Sequence, residues 1–570
     1  MRLCLSKSKN STSLYVTKTV RENKKSTTKV VEKLGTVEEL TKQLNGRDPI
    51  EWAKAHVAQL NQEEKDGRFP VTAAFSPSKQ IPMDKTVLFN GGYLFVQAVY
   101  YGLKLDEVCG KIRQRHAFEF DLNAVLSRLI YTRILYPASK LSSLESARKL
   151  IEPPKFSLQH IYRALDVIAQ ETDFIQEQVY KNSLALAERN VNILYYDCTN
   201  YFFESEQEDG FRQYGVSKEH RPNPIVQMGL FMDGSGLPLA MSIHNGAGNE
   251  QPTLKPLEER IARDFSLAKF VVCTDAGLGS LENRVMNNAP GRAFVMTQSL
   301  KKMKGFLIQW ALDPAGWRIP GSKETYDLGT IEDSAGNPNT YYKERWIKEE
   351  GLEQRLVVTY SPKYKAYQRQ VRTRQVARAK KMIVKPETLN AKRANDPARF
   401  VSTEHCTKDG EVAKQRVVAL NQAAIEKEER FDGFYGVCTN LEDEVSAIIR
   451  INKGRWEIEE SFRILKSEFR ARPVFLSLER RIRAHFATCF LSLLVYRILE
   501  KRLEQRYSVE DITQTLREMQ FYALKDQGYV PAYMRTPLTD ALHEAYGFRT
   551  DTEIVTQKKM KGILKTTKTG

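Results

Sequence analysis

The chain has 570 residues, of which 41% are hydrophobic and 10% aromatic, a composition that excludes a wholly disordered protein and suits several folded units. Lysine and arginine outnumber aspartate and glutamate by 87 to 70, and the net charge of +17 favours a polyanionic partner, nucleic acid before a membrane surface. The seven cysteines are scattered without a Cys-x-x-Cys pair, which argues against zinc ligation and disulfides and predicts a cytoplasmic protein.

The first 190 residues divide into a basic region, 1–83, and a helical region, 84–190. The basic region contains two strand-like runs, SLYVTKTV and TTKVVEKLG, and then a helix at PIEWAKAHVAQLNQEE. These strands suit contact with phosphates, and equally a solvent-exposed hairpin. In the helical region apolar residues recur at three- and four-residue spacing, in NAVLSRLIYTRILYP, SLQHIYRALDVIAQ and FIQEQVYKNSLALAERN.

The periodicity changes at residue 191, where an α/β region with a mixed sheet is predicted over 191–300. Two short apolar runs, NILYYD and AKFVVCTDAG, read as strands that end at Asp197 and Asp275. Between them IVQMGLFMD and LPLAMSIH form a hairpin across GSG, followed by the helix PTLKPLEERIARDF. Strands mixed with helices in this order are typical of an α/β domain.

Residues 301–430 interrupt that domain with β-like pieces, such as RLVVTY, and a very basic helix. From Lys363 to Arg399 there are twelve Lys or Arg against only Glu387 and Asp396. A solvated helix face is one interpretation, but uncompensated cations repel one another and attract an anion, so phosphate contact is favoured. The predicted contacts within this helix are Arg372, Arg374, Arg378, Lys380 and Lys381.

Residues 431–500 contain GRWEIEESFRILKSEF, in which a helical projection separates an apolar stripe from a charged line. The stripe is expected to be the core side, and it consists of Ile458, Phe462, Leu465 and Phe469. Arg455, Glu459 and Lys466 fall within about 40° of one another at the edge of that stripe. An ordinary salt-bridge ladder would look the same in this segment alone. The remaining residues, 501–570, are predicted to be helical with a basic tail.

Three carboxylates fit one metal site. If the two strands are neighbours, Asp197 and Asp275 converge at one edge of the sheet, and Glu459 would complete a set of oxygen ligands. Such ligands suit Mg²⁺ or Mn²⁺. Each aspartate alone could instead cap a helix or form a turn.

These residues carry a resemblance to the DDE transposases of bacterial insertion sequences, in the superfamily that inserts a β-rich domain before the catalytic glutamate. The family signature Tyr-x₂-Arg-x₃-Glu-x₆-Lys is matched at Arg455, Glu459 and Lys466, with Asn452 in the place of the tyrosine. YYDCTNYFFE and VVCTDAG resemble the two aspartate strands, and GVSKEHRPNPIVQMGLFMD with GAGNEQ resembles the segment between them. The likeness extends over about 120–500, whereas the first 110 residues and the tail contribute little.

The resemblance implies an RNase H-like catalytic fold in which Asp197, Asp275 and Glu459 bind two Mg²⁺ ions, with Mn²⁺ as a substitute. It further implies cleavage at terminal inverted repeats and joining of the freed 3′-hydroxyl to target DNA by a homodimer in the bacterial cytoplasm, at the nucleoid when bound to DNA. Arg455 and Lys466 would then hold phosphates, with Arg463, Lys218 and Arg221 as further DNA contacts. The hairpin segment 14–34 and the helices of 84–150 are both candidates for reading the DNA ends.

Several alternatives remain open on the sequence. A derivative of the same fold that binds DNA without cutting it, and a metal-dependent nuclease without strand transfer, would have the same ligands. A hydrolase that uses a carboxylate pair, such as a glycosidase, leaves the basic helix unexplained. Trp346 could stack on an unpaired base, although burial is favoured, and Phe490 to Leu499 form either a dimer contact or an internal helix. Because His485 and Arg497 interrupt the apolar run around that segment, a membrane span is not expected.

Overall fold

The computed structural model describes the chain except residues 10, 23–24, 66–70, 72, 74, 79, 81–82, 84–85, 220, 268, 333, 335, 385–395, 407–411 and 570. The chain forms two compact units. The first unit consists of Met1–Lys85, Leu524–Val530 and Ile554–Gln557. The second consists of Thr86–Ala523, Pro531–Glu553 and Lys558–Gly570.

The first unit is built on a three-stranded antiparallel sheet with two helices. Its elements are β1 (Arg2–Lys7), β2 (Thr12–Glu22), β3 (Lys25–Thr36), α1 (Val37–Gln43) and α2 (Pro49–Lys65), and the strand order is β1-β2-β3. Leu14, Leu40 and Ala53 are the buried centre of its core. Thr36 and Glu39 form a capping box that starts α1. The predicted hairpin and helix are confirmed, and β1 is an additional edge strand.

The second unit begins with a short strand and six helices. They are β4 (Leu88–Asn90), α3 (Tyr93–Gly102), α4 (Leu105–Arg115), α5 (Leu122–Leu135), α6 (Lys140–Ala147), α7 (Leu158–Gln170) and α8 (Thr172–Ser183). The predicted helical character of this region is confirmed. The spacing of apolar residues suggested that α8 continues towards residue 190, but the helix ends at Ser183. The chain turns back after this point, and Arg189 Nη1 donates to the Ser183 hydroxyl over 2.7 Å.

A ten-stranded mixed sheet follows, which confirms the predicted α/β architecture. Its strands are β5 (Ile193–Phe202), β6 (Ile225–Asp233), β7 (Pro238–Asn245), β8 (Phe270–Thr274), β9 (Arg292–Gln298), β10 (Trp317–Arg318), β11 (Thr325–Tyr326), β12 (Tyr341–Glu349), β13 (Leu352–Tyr360) and β16 (Phe434–Thr439). Their spatial order is β11-β10-β12-β13-β16-β9-β8-β5-β6-β7. Strands β5, β8 and β9 are parallel, and the other pairs are antiparallel.

The inserted segment contributes to this same sheet. The sequence suggested an interruption of the α/β domain, yet β10 to β13 join the sheet through β16, which pairs with β13 on one side and β9 on the other. The side chains of Trp317, Leu356 and Phe294 share one core across that junction. The β-rich insertion therefore extends the sheet through hydrogen bonds between strands. A local sequence pattern cannot predict these bonds, because they join segments that are distant in sequence.

The other elements are helices and further strands. They are α9 (Leu254–Asp264), α10 (Leu281–Met286), α11 (Gly305–Leu312), α12 (Pro362–Val384), β14 (Val401–Cys406), β15 (Val412–Leu420), α13 (Gln422–Glu429), α14 (Val445–Lys453), α15 (Trp456–Arg463), α16 (Glu479–Arg502), α17 (Val509–Glu518), β17 (Gln520–Leu524), β18 (Gly528–Pro531), α18 (Pro537–Tyr546), β19 (Val555–Thr556) and α19 (Gln557–Thr569). In the first unit β18 pairs with β19, and in the second β17 pairs with β4.

Helix α16 is the central helix of the second unit. Its length and composition would allow it to cross a membrane, but 94% of its most apolar window is buried inside the protein. Every residue from Phe490 to Leu499 is buried. Of the two interpretations of this segment, the internal helix is therefore the one that the structure supports, and a dimer contact made by these side chains is excluded by their burial.

A fully buried ion pair fixes the turn between β6 and β7. The side chains of Arg189 and Asp233 are both 0% exposed, and Arg189 Nε lies 2.6 Å from Asp233 Oδ2. The other oxygen of Asp233 accepts the backbone N–H groups of Ser235 and Leu237, each over 3.0 Å. Since every polar atom of this carboxylate is used, the pair holds the hairpin end against the chain that leaves α8.

We expect Asp233→Asn to lower the free energy of unfolding by about 3–5 kcal/mol, because the Arg189 charge stays buried without its counter-charge. Urea unfolding followed by circular dichroism measures the change. Glu177→Gln, which breaks the exposed pair with Lys181 on α8, is the matched control and should cost less than about 0.5 kcal/mol. Equal losses in the two variants would contradict the assignment.

Candidate active site

Asp197 and Asp275 lie beside each other on two parallel neighbouring strands. The register between β5 and β8 pairs Leu194 with Val272 and Tyr195 with Cys273. The same offset aligns Asp197 with Asp275, which directly follows β8. The convergence predicted from the sequence is thus supported, with one correction. Asp197 lies within β5, opposite Leu230 of β6, because the strand continues to Phe202.

The two aspartates repel each other electrostatically. The pKa of Asp197 is raised to about 6, first by burial and further by the negative charge of Asp275. Lys218, the backbone N–H of Cys198 and Arg455 counteract this rise. The Asp275 carboxylate accepts the backbone N–H groups of Gly277 and Leu278, each over 3.0 Å, so that it also forms a turn. A cation between the carboxylates would relieve the repulsion.

Lys218 is held directly against the β5 strand. Its ammonium donates to the carbonyl oxygen of Cys198 and lies 3.3 Å from Glu250 Oε1. Burial disfavours the charged form, but the carboxylates of Asp197 and Glu250 outweigh it and raise the pKa of Lys218. Lys218, which the sequence predicted as a DNA contact, is therefore a cation within the site, and in this structure it forms an ion pair with Glu250.

Two further cations, Lys466 and Arg472, share one carboxylate near Lys218. Lys466 Nζ is 3.3 Å from Glu219 Oε1, and Arg472 forms an ion pair with the other oxygen of Glu219. Burial and then repulsion from Lys218 lower the pKa of Lys466 to about 8, whereas Asp197 opposes this shift. Lys218 and Lys466 thus both lie within electrostatic reach of Asp197, and a polyanion such as a DNA strand would neutralise their mutual repulsion.

Arg455 is the cation that links the aspartates to the predicted glutamate. Its Nη1 donates to Thr297 Oγ1 over 3.1 Å and to the Tyr435 hydroxyl over 3.4 Å, and its Nη2 lies 3.7 Å from Glu459 Oε1. Burial disfavours the charged guanidinium, but Tyr435 and Cys273, followed by Asp275 and Asp197, raise the pKa of Arg455. The guanidinium therefore forms an ion pair with the helix carboxylate and lies within electrostatic reach of both strand aspartates.

Glu459 is 65% exposed and does not join the aspartates in a compact ligand cluster. Within the described parts of the chain, only Asp540, His543 and Asp551 form a set of three ligand atoms within 4.8 Å of one another. The structure places Glu459 beside Arg455 instead. The three acids have the right chemistry for Mg²⁺, and the two strand aspartates have the right relative position, but Glu459 has to leave Arg455 to bind a shared ion.

The helix that carries these groups is positioned by its apolar stripe and by one glycine. Ile458, Phe462, Leu465 and Phe469 are all buried, as the projection predicted. A Cβ atom at Gly454 would lie 2.0 Å from the Tyr195 hydroxyl, so only glycine allows the helix to approach β5 so closely.

A π-helical turn over Ile464–Glu468 follows α15. Lys466 belongs to this turn, and its Nζ lies 3.3 Å from Glu219 Oε1.

The other predicted DNA contacts differ in their surroundings. Arg221 stacks its guanidinium 4.3 Å from the ring centroid of Phe202, near the site. Arg463 is bonded to Glu460 of its own helix over 2.6 Å. On α12 four of the five predicted cations are exposed to solvent, namely Arg374, Arg378, Lys380 and Lys381.

Arg372 and Trp346 require corrections. Arg372 is only 8% exposed, and its Nη2 lies 2.5 Å from Asp432 Oδ2. It is an internal structural residue, because Asp432 from a distant part of the sequence neutralises it. Trp346, for which the sequence favoured burial, is 47% exposed on β12. His485, which is on α16, is buried, as expected for a packing histidine.

Sequence reasoning missed five residues of the site: Thr297, Tyr435, Glu219, Glu250 and Arg472. Thr297 is on β9 and Tyr435 on β16, and their hydroxyl groups are 2.7 Å apart. Glu219 and Arg472 meet across the site from segments distant in sequence. The only local signal was the position of Glu219 next to Lys218 in GVSKEH.

We expect Asp197→Asn to stabilise the metal-free protein by about 1–3 kcal/mol at pH 7.5, because it removes a buried charge that repels Asp275. The folded-state pKa near 6 exceeds the reference value of 3.8, so the folded protein binds the extra proton and wild-type stability falls as pH rises through this window. The gain should therefore shrink at pH 4.5. Urea unfolding at both pH values measures it, with Glu460→Gln as the control, and a loss of stability at pH 7.5 would contradict the prediction.

Comparison with known proteins identifies the family. No curated protein matches the chain. Among solved structures, the chain is similar to one described as "Cryo-EM structure of piggyBac transposase synaptic complex with hairpin DNA", at 7% identity and a TM-score of 0.36, over 75% of this chain and 78% of that one. This likeness is too distant to define a shared fold. The family model described as "Transposase DDE domain" matches residues 193–495, more than half of the chain and the whole segment from Asp197 to Glu459, and the protein therefore belongs to this transposase family.

Proposed function

We propose that the protein is the transposase of a bacterial insertion sequence, which binds terminal inverted repeats, cuts the DNA at the ends of the element and joins the freed 3′-hydroxyl to target DNA. The observation that carries this proposal is the alignment of Asp197 with Asp275 on parallel strands, among Lys218, Arg455 and Lys466. Two carboxylates surrounded by cations suit a substrate that supplies both metal-binding and cation-binding phosphate oxygens.

An RNase H-like catalytic fold is part of this proposal. The half of the sheet that holds the aspartates has the order β7-β6-β5-β8-β9. Strands β5, β6 and β7 form an antiparallel meander, whereas β8 and β9 run parallel to β5. This topology supports the expected fold, because it places both aspartates on adjacent strands at the centre of the sheet.

Asp197, Asp275 and Glu459 would hold two Mg²⁺ ions, or Mn²⁺ in their place. When bound, such ions activate a hydroxyl nucleophile and stabilise the leaving oxygen of a phosphodiester. Lys218, Lys466 and Arg455 would orient the phosphates of the DNA strand, and the phosphates would replace Glu250, Glu219 and Glu459 as their ionic partners. We further propose that the protein acts as a homodimer on paired DNA ends, in the cytoplasm and without a membrane.

A second candidate is a derivative of the same family that binds DNA without cutting it. The ion pair between Glu459 and Arg455 favours this candidate, because it withholds the third carboxylate from the aspartates. A nuclease without strand transfer shares all the ligands, so only the products distinguish it.

We expect the wild-type protein to cut and join DNA carrying the inverted repeats that flank its gene, with a plasmid target in Mg²⁺ or Mn²⁺. Asp197→Asn, Asp275→Asn and Glu459→Gln should each reduce both products to less than about one-hundredth, because each variant removes a charged ligand. Labelled end fragments resolved on denaturing gels measure cleavage and joining separately.

Glu460→Gln is the matched control for this experiment, since Glu460 is on the same helix and pairs with Arg463. It should retain wild-type activity. Cleavage without joining would favour a nuclease, and binding with no product from any protein would favour the derivative that does not cut.

We expect replacement of Arg374, Arg378, Lys380 and Lys381 by glutamine to weaken binding of the inverted-repeat DNA and to flatten its salt dependence. Each lost phosphate contact should reduce the slope of log K against log salt by about 0.9, because fewer counterions are released. Fluorescence anisotropy at several salt concentrations gives this slope.

Arg372→Met is the control on the same helix, because its charge is already neutralised by Asp432. This variant should lower the free energy of unfolding and leave the slope unchanged. An unchanged slope in the fourfold variant would remove α12 from the DNA path.

A further inference from the structure

A separate pocket of about 460 Å³ lies between the start of α6, the helix α16 and the segment 470–476 that follows the π-helical turn. Its lining contains four cationic side chains: Arg133, Lys140, Arg470 and Arg472. None of its lining residues is an aspartate or glutamate. A volume in this range accommodates a small polar ligand or one nucleotide unit.

Two of these cations are buried without a negative partner. Arg133 is 4% exposed and Lys140 is 6% exposed. Among the described residues, no carboxylate forms an ion pair with either side chain. Arg133 donates instead to the carbonyl oxygens of Phe469 over 3.1 Å and Ala138 over 3.2 Å, and its Nε has no hydrogen-bond partner within the described residues. A buried charge without a partner is strongly unfavourable, which points to a ligand that supplies the missing anion.

The hydrogen-bond partner of Lys140 is a neutral side chain and not an anion. Its ammonium donates to His485 Nδ1 over 3.4 Å, and His485 Nε2 lies 3.0 Å from the carbonyl oxygen of Ala471, to which it donates. The histidine is therefore neutral, and burial, then repulsion from Lys140 and Arg133, lowers its pKa well below the ordinary value. Burial, followed by repulsion from Arg133, also lowers the pKa of Lys140 to about 7.

The N-terminus of α6 adds a positive partial charge to the same pocket. Ser139 is the N-cap of this helix, and its hydroxyl accepts the backbone N–H of Ser142 over 3.3 Å. Both serines line the pocket. Backbone N–H groups at a helix start, combined with buried lysine and arginine, are the donors that phosphate groups bind.

We propose that this pocket binds a phosphate group, and that the group belongs to the DNA strand held at the candidate active site. The second half of the proposal rests on the proposed function. Arg472 connects the two places, because it lines the pocket and forms an ion pair with Glu219, to which Lys466 is also paired. Phe475 is 65% exposed at the pocket, where its ring offers an apolar surface to a deoxyribose or base.

The first experiment uses inorganic phosphate as the probe and does not involve DNA. Phosphate should raise the melting temperature of the full-length wild-type protein and broaden its ³¹P resonance on binding. Lys140→Met should melt higher than wild type in phosphate-free buffer, because an unpaired buried charge is lost, and should bind phosphate at least about tenfold more weakly. Lys181→Met, which changes an exposed lysine of α8, is the matched control and should bind phosphate like wild type.

Arg470→Gln serves as a second variant, because Arg470 is an exposed lining residue whose replacement leaves the buried core intact. It should also weaken phosphate binding. Equal phosphate binding by wild type and both variants, or no binding by wild type, would overturn the proposal. A loss of stability of Lys140→Met in phosphate-free buffer would likewise show that Lys140 has a purely structural role.

The second experiment identifies the source of the phosphate group. Inverted-repeat DNA should displace bound inorganic phosphate from the wild-type protein, as measured by sharpening of the ³¹P resonance, whether or not the protein cuts that DNA. Displacement by a nucleoside monophosphate but not by DNA would overturn the assignment to the DNA strand and leave a site for a free ligand. Failure of cleavage with intact phosphate binding would count against the proposed function alone.

Discussion

The repulsion between Asp197 and Asp275 is the constraint on which the candidate site depends. Parallel pairing of β5 and β8 brings the two carboxylates together, and burial, followed by the negative charge of Asp275, raises the pKa of Asp197. The fold offsets this repulsion with nearby cations and not by separating the carboxylates, because Lys218 and Arg455 both lower the pKa of Asp197. Those cations in turn hold Glu250 and Glu459. The site is thus a set of alternating charges in which Lys218 and Arg455 each lie beside a carboxylate.

The inserted segment matters for this arrangement because its strands belong to the same sheet as the strand that carries Asp197. Tyr435 on β16 and Thr297 on β9 both bond to Arg455, and they are brought together by the pairing of these two strands. Strand β16 is also the partner of β13, which belongs to the inserted part of the chain. Backbone hydrogen bonds therefore connect the insertion to the strands that hold the guanidinium beside the aspartates.

The sequence predicted those features that depend on local periodicity or fixed spacing. The strands that carry Asp197 and Asp275, the hairpin between them and the buried stripe of α15 belong to this class. It could not predict features that depend on distant partners. Arg372 looks like its exposed neighbours until Asp432, sixty residues later, neutralises it. The ion pair between Lys466 and Glu219 likewise joins two segments that are distant in sequence, and the π-helical turn that carries Lys466 has no signal in the residues between Arg463 and Phe469.

The buried cations of this protein fall into two groups, and the difference between them is informative. Arg189 and Arg372 are each paired with an aspartate, which fixes the charge permanently within the structure. Arg133 and Lys140 are buried to a similar degree, yet no carboxylate among the described residues is paired with them. A permanent partner would stabilise the protein but would also exclude an incoming anion. Because Arg133 and Lys140, next to Arg472, have no carboxylate partner in the described part of the chain, the empty protein is less stable than it would be with paired cations. Binding of a phosphate group restores this stability.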